Sequence, residues 1–216
     1  MIDKNLKSRL ITSFILFLLI LVISKSNFFL VYFLIILGVL SIIEFLNLTN
    51  KVFIFKLYKI MTNIIFIFYL SFFSFLFFYF TSIPQLKIFL FSILLTCVAS
   101  DIGGFIIGKK FKGPKLSKVS PNKTISGSIG SILFSCFSFS LIIYFYTNTM
   151  HLKILFIAAM ISIVCQLGDL FFSFLKRKAK VKDTGNFFPG HGGVLDRLDG
   201  ILVGVPFGFI IIIVLF

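Results

Sequence analysis

Residues 173–199 read SFLKRKAKVKDTGNFFPGHGGVLDRLD, a polar and strongly basic segment between two apolar ones. Ile154–Leu175 runs into it and Val194–Phe216 leads out of it, and both are almost free of charge away from this junction. An apolar run of about 20 residues is the length that crosses a bilayer as a helix. The junction therefore reads as a basic loop joining two membrane spans. Lys176, Arg177, Lys178, Lys180 and Lys182 crowd its first half, Gly190-His191-Gly192-Gly193 follow, and Asp196 and Asp199 enter the second span. Cations, flexible backbone and carboxylates beside a membrane point to phosphate chemistry on a lipid.

The rest of the sequence repeats the pattern. Hydrophobic residues make up 59% of the 216, and mean hydropathy is +1.12, which excludes a soluble domain. Seven apolar segments are expected to span: Leu10–Ser24, Phe28–Leu46, Ile60–Phe80, Ile88–Gly108, Thr124–Tyr146, Ile154–Leu175 and Val194–Phe216. The predicted fold is an all-α polytopic membrane protein of about seven transmembrane helices. Residues 1–85 hold N-terminal helices, and residues 86–216 hold the helices that carry the two long basic loops. Lys51–Lys59 alternates charge and bulk, as an interfacial amphipathic helix would. Lys4, Lys7 and Arg9 precede the first apolar run without a small-residue cleavage site after it, so an uncleaved first span is expected.

Charge orients the spans. Alternate loops hold Lys4, Lys7 and Arg9; Lys51, Lys56 and Lys59; Lys109, Lys110, Lys112, Lys115, Lys118 and Lys123; and the five cations of 176–182. The intervening loops hold only Lys25, Lys87 and Lys153, so the asymmetry is 17 to 3 with Arg197 set aside in the last span. Basic residues are retained on the cytoplasmic side, which places the N-terminus and both long basic loops there. A net charge of +14 arranged in this way argues for anionic headgroups and against nucleic acid. Cys97, Cys136 and Cys165 each lie in an apolar segment with no metal-binding spacing, and read as small buried hydrophobes.

Only seven residues are acidic, and Glu44, Asp101, Asp169, Asp196 and Asp199 fall in or at the edge of apolar spans. A carboxylate there costs about 2.5–3.5 kcal/mol on insertion scales, which makes it a candidate for function. Glu44, near the end of its span, reads more simply as an interhelical hydrogen bond or an interfacial position. Asp169 and Asp196 have company. Gln166, Asp169, Ser173 and Lys176 recur at helical spacing along one stripe, and Asp196 and Asp199 share a face with Arg197 beside them. Antiparallel packing of the two helices would bring Asp169 towards Asp196. Two carboxylates then suit Mg²⁺, with water and substrate phosphates completing the shell; the plainer reading is neutralisation by Arg197 or Lys176. Gly190, Gly192 and Gly193 let backbone N–H groups approach an anion at a helix start, or simply make a turn. Gly200, Gly204 and Gly208 repeat every four residues, as close helix packing requires. A second cluster comprises Ser100-Asp101-Ile102-Gly103-Gly104 and Ser120-Pro121-Asn122-Lys123-Thr124. Capping explains Ser120 or Thr124; it does not explain Lys123, because a helix N-terminus disfavours a cation unless an anion is present.

These residues resemble the CDP-diacylglycerol synthases, or phosphatidate cytidylyltransferases. The resemblance rests on Ser173, Lys176, Arg177, Lys182, Asp183, Gly185, Pro189, His191, Gly192, Gly193, Asp196, Arg197 and Asp199, spaced as in that family. Ser100-Asp101, Ser120 to Thr124 and Gly168-Asp169-Leu170 match upstream elements. Phe172 and Ser126 stand where the family usually carries Glu and Glu or Gln, and Gly200 where it tends to carry Ser. The resemblance implies a membrane-embedded transfer of a cytidylyl group from CTP to phosphatidate, giving CDP-diacylglycerol and pyrophosphate. It implies Mg²⁺ on Asp169 and Asp196, with room for a second cation, monovalent or otherwise. Lys123 and Arg197 join those aspartates as catalytic residues. Asp101, Ser120, Lys123, Ser173, Lys176, Arg177, Lys182, His191, Gly192, Gly193 and Asp199 are the implied substrate-binding set. The expected setting is the inner (plasma) membrane with the site facing the cytoplasm. CTP, phosphatidate and the bilayer are the expected partners, and a homodimer is compatible. Two other readings use the same residues: a cation-coupled transporter built on the intramembrane aspartates, and a family member that binds without turnover. Clustered lysines beside the aspartates would repel a transported cation.

Overall fold

The structure, a computed structural model, describes residues 27–117, 119–187 and 192–215. Among the described residues six α-helices follow one another: α1 (Asn27–Val52), α2 (Lys56–Ser82), α3 (Pro84–Phe111), α4 (Ile125–Thr147), α5 (Leu152–Lys178) and α6 (Leu195–Leu215). All six are long and apolar enough to cross a membrane. The only β pairing among the described residues is an isolated antiparallel bridge between Lys115 and Thr124. The protein is thus an all-α, multi-pass membrane protein. Leu10–Ser24, the first expected span, lies outside the described residues.

Sequence and structure disagree at Lys51–Lys59. No separate interfacial helix forms there. α1 continues to Val52, residues 53–55 break it, and α2 starts at Lys56. Lys51 falls in the last turn of α1, where a cation complements the helix dipole. The other helices also outrun their apolar cores, because helical hydrogen bonding does not stop where the side chains turn polar. Lys109 and Lys110 lie in the last turn of α3, and Lys176, Arg177 and Lys178 in the last turn of α5.

Local chemistry sets the helix ends. Pro84, with no N–H to leave unpaired, opens α3. Thr124 caps α4, its hydroxyl accepting from Gly127 N at 3.1 Å. α5 ends in a Schellman turn. Val181 N donates to Lys176 O and Lys180 N to Arg177 O, each at 3.0 Å, with Lys180 at φ 56° in the left-handed position usually given to glycine.

The chain forms two units. The first comprises α1, α2 and Leu175–Leu198; the second comprises Ile83–Phe174 and Asp199–Phe216. In the first, α1 and α2 meet through stacked Phe45 and Phe66, with ring centroids 3.8 Å apart, and through Thr49 Oγ1 donating to Asn63 Oδ1 at 2.8 Å. In the second, α3 and α4 approach so closely that glycine is required at the crossing. A Cβ on Gly103 would lie 2.6 Å from Gly130 O, and one on Gly130 would lie 2.4 Å from Ile107 Cβ. Such contact replaces a hydrophobic driving force, which lipid cannot supply between helices.

A polar chain ties α3, α4 and α5 together. Ser100 Oγ lies 2.9 Å from Ser162 Oγ, Gln166 Nε2 donates to Ser162 Oγ at 3.2 Å, and Ser128 Oγ donates to Gln166 Oε1 at 2.6 Å. Interhelical bonds of this kind contribute roughly 0.6 kcal/mol each on average. The α6 glycines pack closely, as their spacing predicts: a Cβ on Gly200 would meet Cys165 Sγ at 2.6 Å, and one on Gly204 would meet Cys97 Sγ at 2.9 Å. Cys97 and Cys165 are buried free thiols, and Cys136 is a free thiol at intermediate burial. Large apolar side chains such as Phe68, Phe137, Phe145 and Ile213 are exposed, on surfaces suited to acyl chains.

Candidate functional site

In the first unit the candidate residues gather around Asp196, in the first turn of α6. Oδ1 accepts from Lys176 Nζ at 2.9 Å; Oδ2 accepts from Thr184 N at 2.8 Å and Gly193 N at 2.9 Å. Lys176 reaches it from the last turn of α5. The plainer sequence reading, neutralisation of the aspartates by Arg197 or Lys176, is realised for Asp196 by Lys176. Charge-assisted bonds to a carboxylate are about twice as strong as neutral ones, so this side chain is firmly oriented. Gly192 has φ 84°, a backbone shape that L side chains rarely adopt, and a Cβ there would stand 2.9 Å from Asp196 Oδ2. Glycine at 192 is thus required by both conformation and space.

A second carboxylate organises the same unit. Glu44 of α1 is 7% exposed. Its Oε1 accepts from Val194 N at 2.9 Å, and its Oε2 accepts from Leu195 N at 2.9 Å and Thr184 Oγ1 at 2.7 Å. The hydrogen-bonding role expected for Glu44 is what the structure shows, with the start of α6 and Thr184 as its partners. Thr184 was not singled out by sequence reasoning. Its signal lies in its place beside Asp183 in the matched segment, but nothing in sequence marks a hydroxyl that bonds a residue 140 positions away. Arg177 and Lys182 are exposed, and Arg177 Nη1 donates to Val181 O at 3.4 Å. Arg197 is exposed. His191 lies outside the described residues.

In the second unit Lys123, just before α4, forms an ion pair with Asp169 Oδ2 of α5. Ser173 Oγ, one turn along α5, donates to Asp169 Oδ1 at 3.4 Å. The helical stripe expected over Asp169 and Ser173 is thus realised as a contact. Sequence reasoning required an anion to explain a lysine at the start of α4, and the protein supplies one as Asp169. Ser120 contributes its carbonyl to the turn that presents Lys123, accepting from Lys123 N at 3.0 Å. Ser126 Oγ donates to Lys112 O, and so holds the positive-φ C-cap of α3 instead of offering an acid or amide. Phe172 is buried, edge-on to Phe171. Asp101 is exposed, and Asp199 Oδ1 accepts from Gly200 N at 2.9 Å. No group of three or more His, Cys, Asp or Glu close enough to hold a metal occurs among the described residues.

Each unit therefore presents an aspartate with a lysine bonded to it: Asp196 in the first turn of α6 with Lys176 from the last turn of α5, and Asp169 within α5 with Lys123 from just before α4. Paired ammonium groups of this kind are held in place, and phosphate oxygens are their natural ligands.

The sequence profile of the cytidylyltransferase family matches residues 4–215. Three similar proteins carry the name phosphatidate cytidylyltransferase. That of Rickettsia felis is 38% identical over 131 residues, which is 55% of this chain and 57% of the relative. That of Rickettsia bellii is 43% identical over 121 residues, 51% of this chain and 52% of the relative. That of Helicobacter pylori is 39% identical over 112 residues, 52% of this chain and 42% of the relative. The chain spans about half the length of the curated relatives it matches. With a match running from residue 4 to residue 215, the chain belongs to the cytidylyltransferase family.

Proposed function

We propose that this protein is a phosphatidate cytidylyltransferase, joining CTP and phosphatidate to give CDP-diacylglycerol and pyrophosphate. It would work in the inner (plasma) membrane with its site facing the cytoplasm. The observation that carries the reading is the family match over residues 4–215, together with relatives named for that activity. The lysines paired with aspartates of membrane helices support it, and the 17-to-3 asymmetry of basic residues supports the orientation.

In the proposed reaction a phosphatidate oxygen forms a bond to the α-phosphorus of CTP, the bond from that phosphorus to the bridging oxygen breaks, and pyrophosphate leaves. The attacking phosphate is already ionised at neutral pH, so the chain needs no strong base. Both substrates are anions, and cations must bring them together. Lys123, Lys176, Arg177, Lys182 and Arg197 are the residues proposed to do so. Lys123 and Lys176 are pre-positioned by their carboxylate partners. Groups fixed before the reaction stabilise developing charge without reorganising at the moment of transfer.

Mg²⁺ dependence belongs to the same proposal, with Asp169 and Asp196 each proposed as a residue that would ligate Mg²⁺. Their chemistry fits. A carboxylate offers about four lone-pair sites. Asp196 uses three of them and Asp169 two in the contacts above, so each keeps acceptor capacity for a hard cation. Mg²⁺ takes only one or two carboxylates when water and substrate phosphates complete its shell, so a cluster of three acids is not needed. When bound, the ion would supply neutralisation of charge on the transferring cytidylyl group's phosphate and on the leaving pyrophosphate. The test is to give purified protein in mixed micelles labelled CTP, phosphatidate and Mg²⁺. Label entering the lipid phase only when all three are present supports the reading; none entering with folded protein refutes it.

A further inference from the structure

We propose that Glu44 is a positioning residue for the transfer site, acting on Asp196 through the segment between Thr184 and Leu195. The proposal rests on the function given above and deepens it.

α6 begins at Leu195, and the residues that lead into it, Gly192-Gly193-Val194, carry no side-chain oxygen that could cap it. A helix start leaves its first N–H groups without intrahelical partners. Here two of those donors, Val194 N and Leu195 N, are taken by Glu44 from α1, 150 and 151 positions away in sequence. A carboxylate at this end of a helix also complements the dipole. With Thr184 Oγ1 as a third donor, both Glu44 oxygens are engaged and the group is nearly enclosed.

The same atoms orient Asp196. Thr184 binds Glu44 through its hydroxyl and Asp196 through its N–H. Gly193 N donates to Asp196 Oδ2, and Gly193 is packed against Glu44 so tightly that a Cβ would lie 2.4 Å from Oε2. Of the three donors to Asp196, two therefore sit on backbone that Glu44 holds, and Lys176 is the third.

Gly185 gives an independent sign of the same relationship. It is not among the glycines with positive φ, so its backbone shape does not demand glycine. The first atoms a Cβ would meet all belong to Glu44: Oε1 at 2.5 Å, Cδ at 2.9 Å and Cγ at 3.2 Å. Glycine at 185 is there to admit the Glu44 carboxylate. The sequence match to Gly185 and the acid on α1 thus become one feature.

The chemistry predicts an asymmetric response. Glu44→Gln keeps size but replaces one acceptor oxygen by an NH2 group facing backbone donors. Glu44→Ala removes every contact. Gly185→Ala leaves the acid in place but pushes on it.

The experiment uses full-length wild type, Glu44→Gln, Glu44→Ala, Gly185→Ala and the Glu44→Ala/Gly185→Ala double variant in mixed micelles. Amide hydrogen exchange is read over peptides covering residues 181–198 and, as an internal control, residues 83–147. Turnover is read as a function of Mg²⁺ and of phosphatidate. Glu44→Gln is expected to speed exchange in 192–198 by about tenfold or more, the scale of a lost hydrogen bond to a charged group, with 83–147 unchanged. Its Mg²⁺ half-activation rises and kcat falls, while KM for phosphatidate stays within about twofold of wild type on the same additive logic. Gly185→Ala behaves like Glu44→Gln, and the double variant is no worse than Glu44→Ala alone, because the clash disappears with the carboxylate.

Unchanged exchange in 192–198, or losses at positions 44 and 185 that simply multiply, overturns the proposal. So does a folded Glu44→Gln protein with reduced yield but an unaltered Mg²⁺ response, which is what a purely structural acid would give. If Glu44→Ala does not fold, Glu44→Gln and Gly185→Ala still decide. Wild type without turnover would instead overturn the transfer reading, and the exchange data would still show whether Glu44 holds the segment.

Discussion

Lys176 Nζ stands 2.9 Å from Asp196 Oδ1, and the two side chains are only 11% and 8% exposed. A cation from the end of one membrane helix is thereby enclosed with an anion from the start of the next. Removing one partner of a buried pair strands the other and costs about 3–5 kcal/mol, whereas removing both together costs much less. Lys176→Met should lower the detergent unfolding midpoint clearly, and Lys176→Met with Asp196→Asn should recover most of the loss. Additive losses would show that the pair is not energetically coupled.

The aspartates should matter differently for chemistry and for folding. Asp169→Asn and Asp196→Asn keep size and some hydrogen bonding but remove the charge. Each is expected to reduce Mg²⁺-dependent turnover by ~10²-fold or more, the scale of a lost charge-stabilising group, in protein that still inserts and purifies. Asp199→Asn should be less severe. Normal activity in either of the first two variants contradicts their proposed role as metal ligands.

Basic residues should separate into two classes. Lys123 is fixed on Asp169, and Arg197 lies in the first turn of α6 beside Asp196. Lys110 is exposed at the end of α3, 5.8 Å from the Phe111 ring. Lys123→Gln and Arg197→Gln should impair turnover strongly, and Lys110→Gln mildly. Equal, small effects at all three positions would mean that only bulk charge attracts the substrates.

Orientation is open to a direct check. Single cysteines placed at Lys110 and Lys182, with Cys97, Cys136 and Cys165 replaced, should react with an impermeant thiol reagent only after cells are permeabilised. Reaction in intact cells would place these loops outside and remove access to CTP.

Much of this architecture was legible in the sequence because lipid imposes a simple rule on apolar runs. The six described spans lie where hydropathy placed them, and the α6 glycines pack as their spacing implied. The break at 53–55 was less legible, since alternating charge and bulk over Lys51–Lys59 fits an interfacial helix as well as two helix ends. Asp169 and Asp196 stood out because an acid in an apolar run is costly. Which lysine serves which aspartate was not readable, because the loop paths decide it: Lys123 reaches Asp169 across 46 positions and Lys176 reaches Asp196 across 20. The partners of Glu44 were further still from view. Two are backbone N–H groups, which leave no trace in residue identity, and the glycines at 185 and 193 record the space the carboxylate occupies.

The central claim is that a cytidylyl group passes intact from CTP to a lipid phosphate. It is tested most directly by giving the purified protein phosphatidate and Mg²⁺ with CTP labelled either at the α-phosphorus or at the γ-phosphorus. The account predicts that α-label enters the organic phase as a lipid-linked nucleotide while γ-label stays in water as pyrophosphate, in equal amounts. Label from the γ-position in the lipid, or no transfer from either position by folded protein, would contradict it.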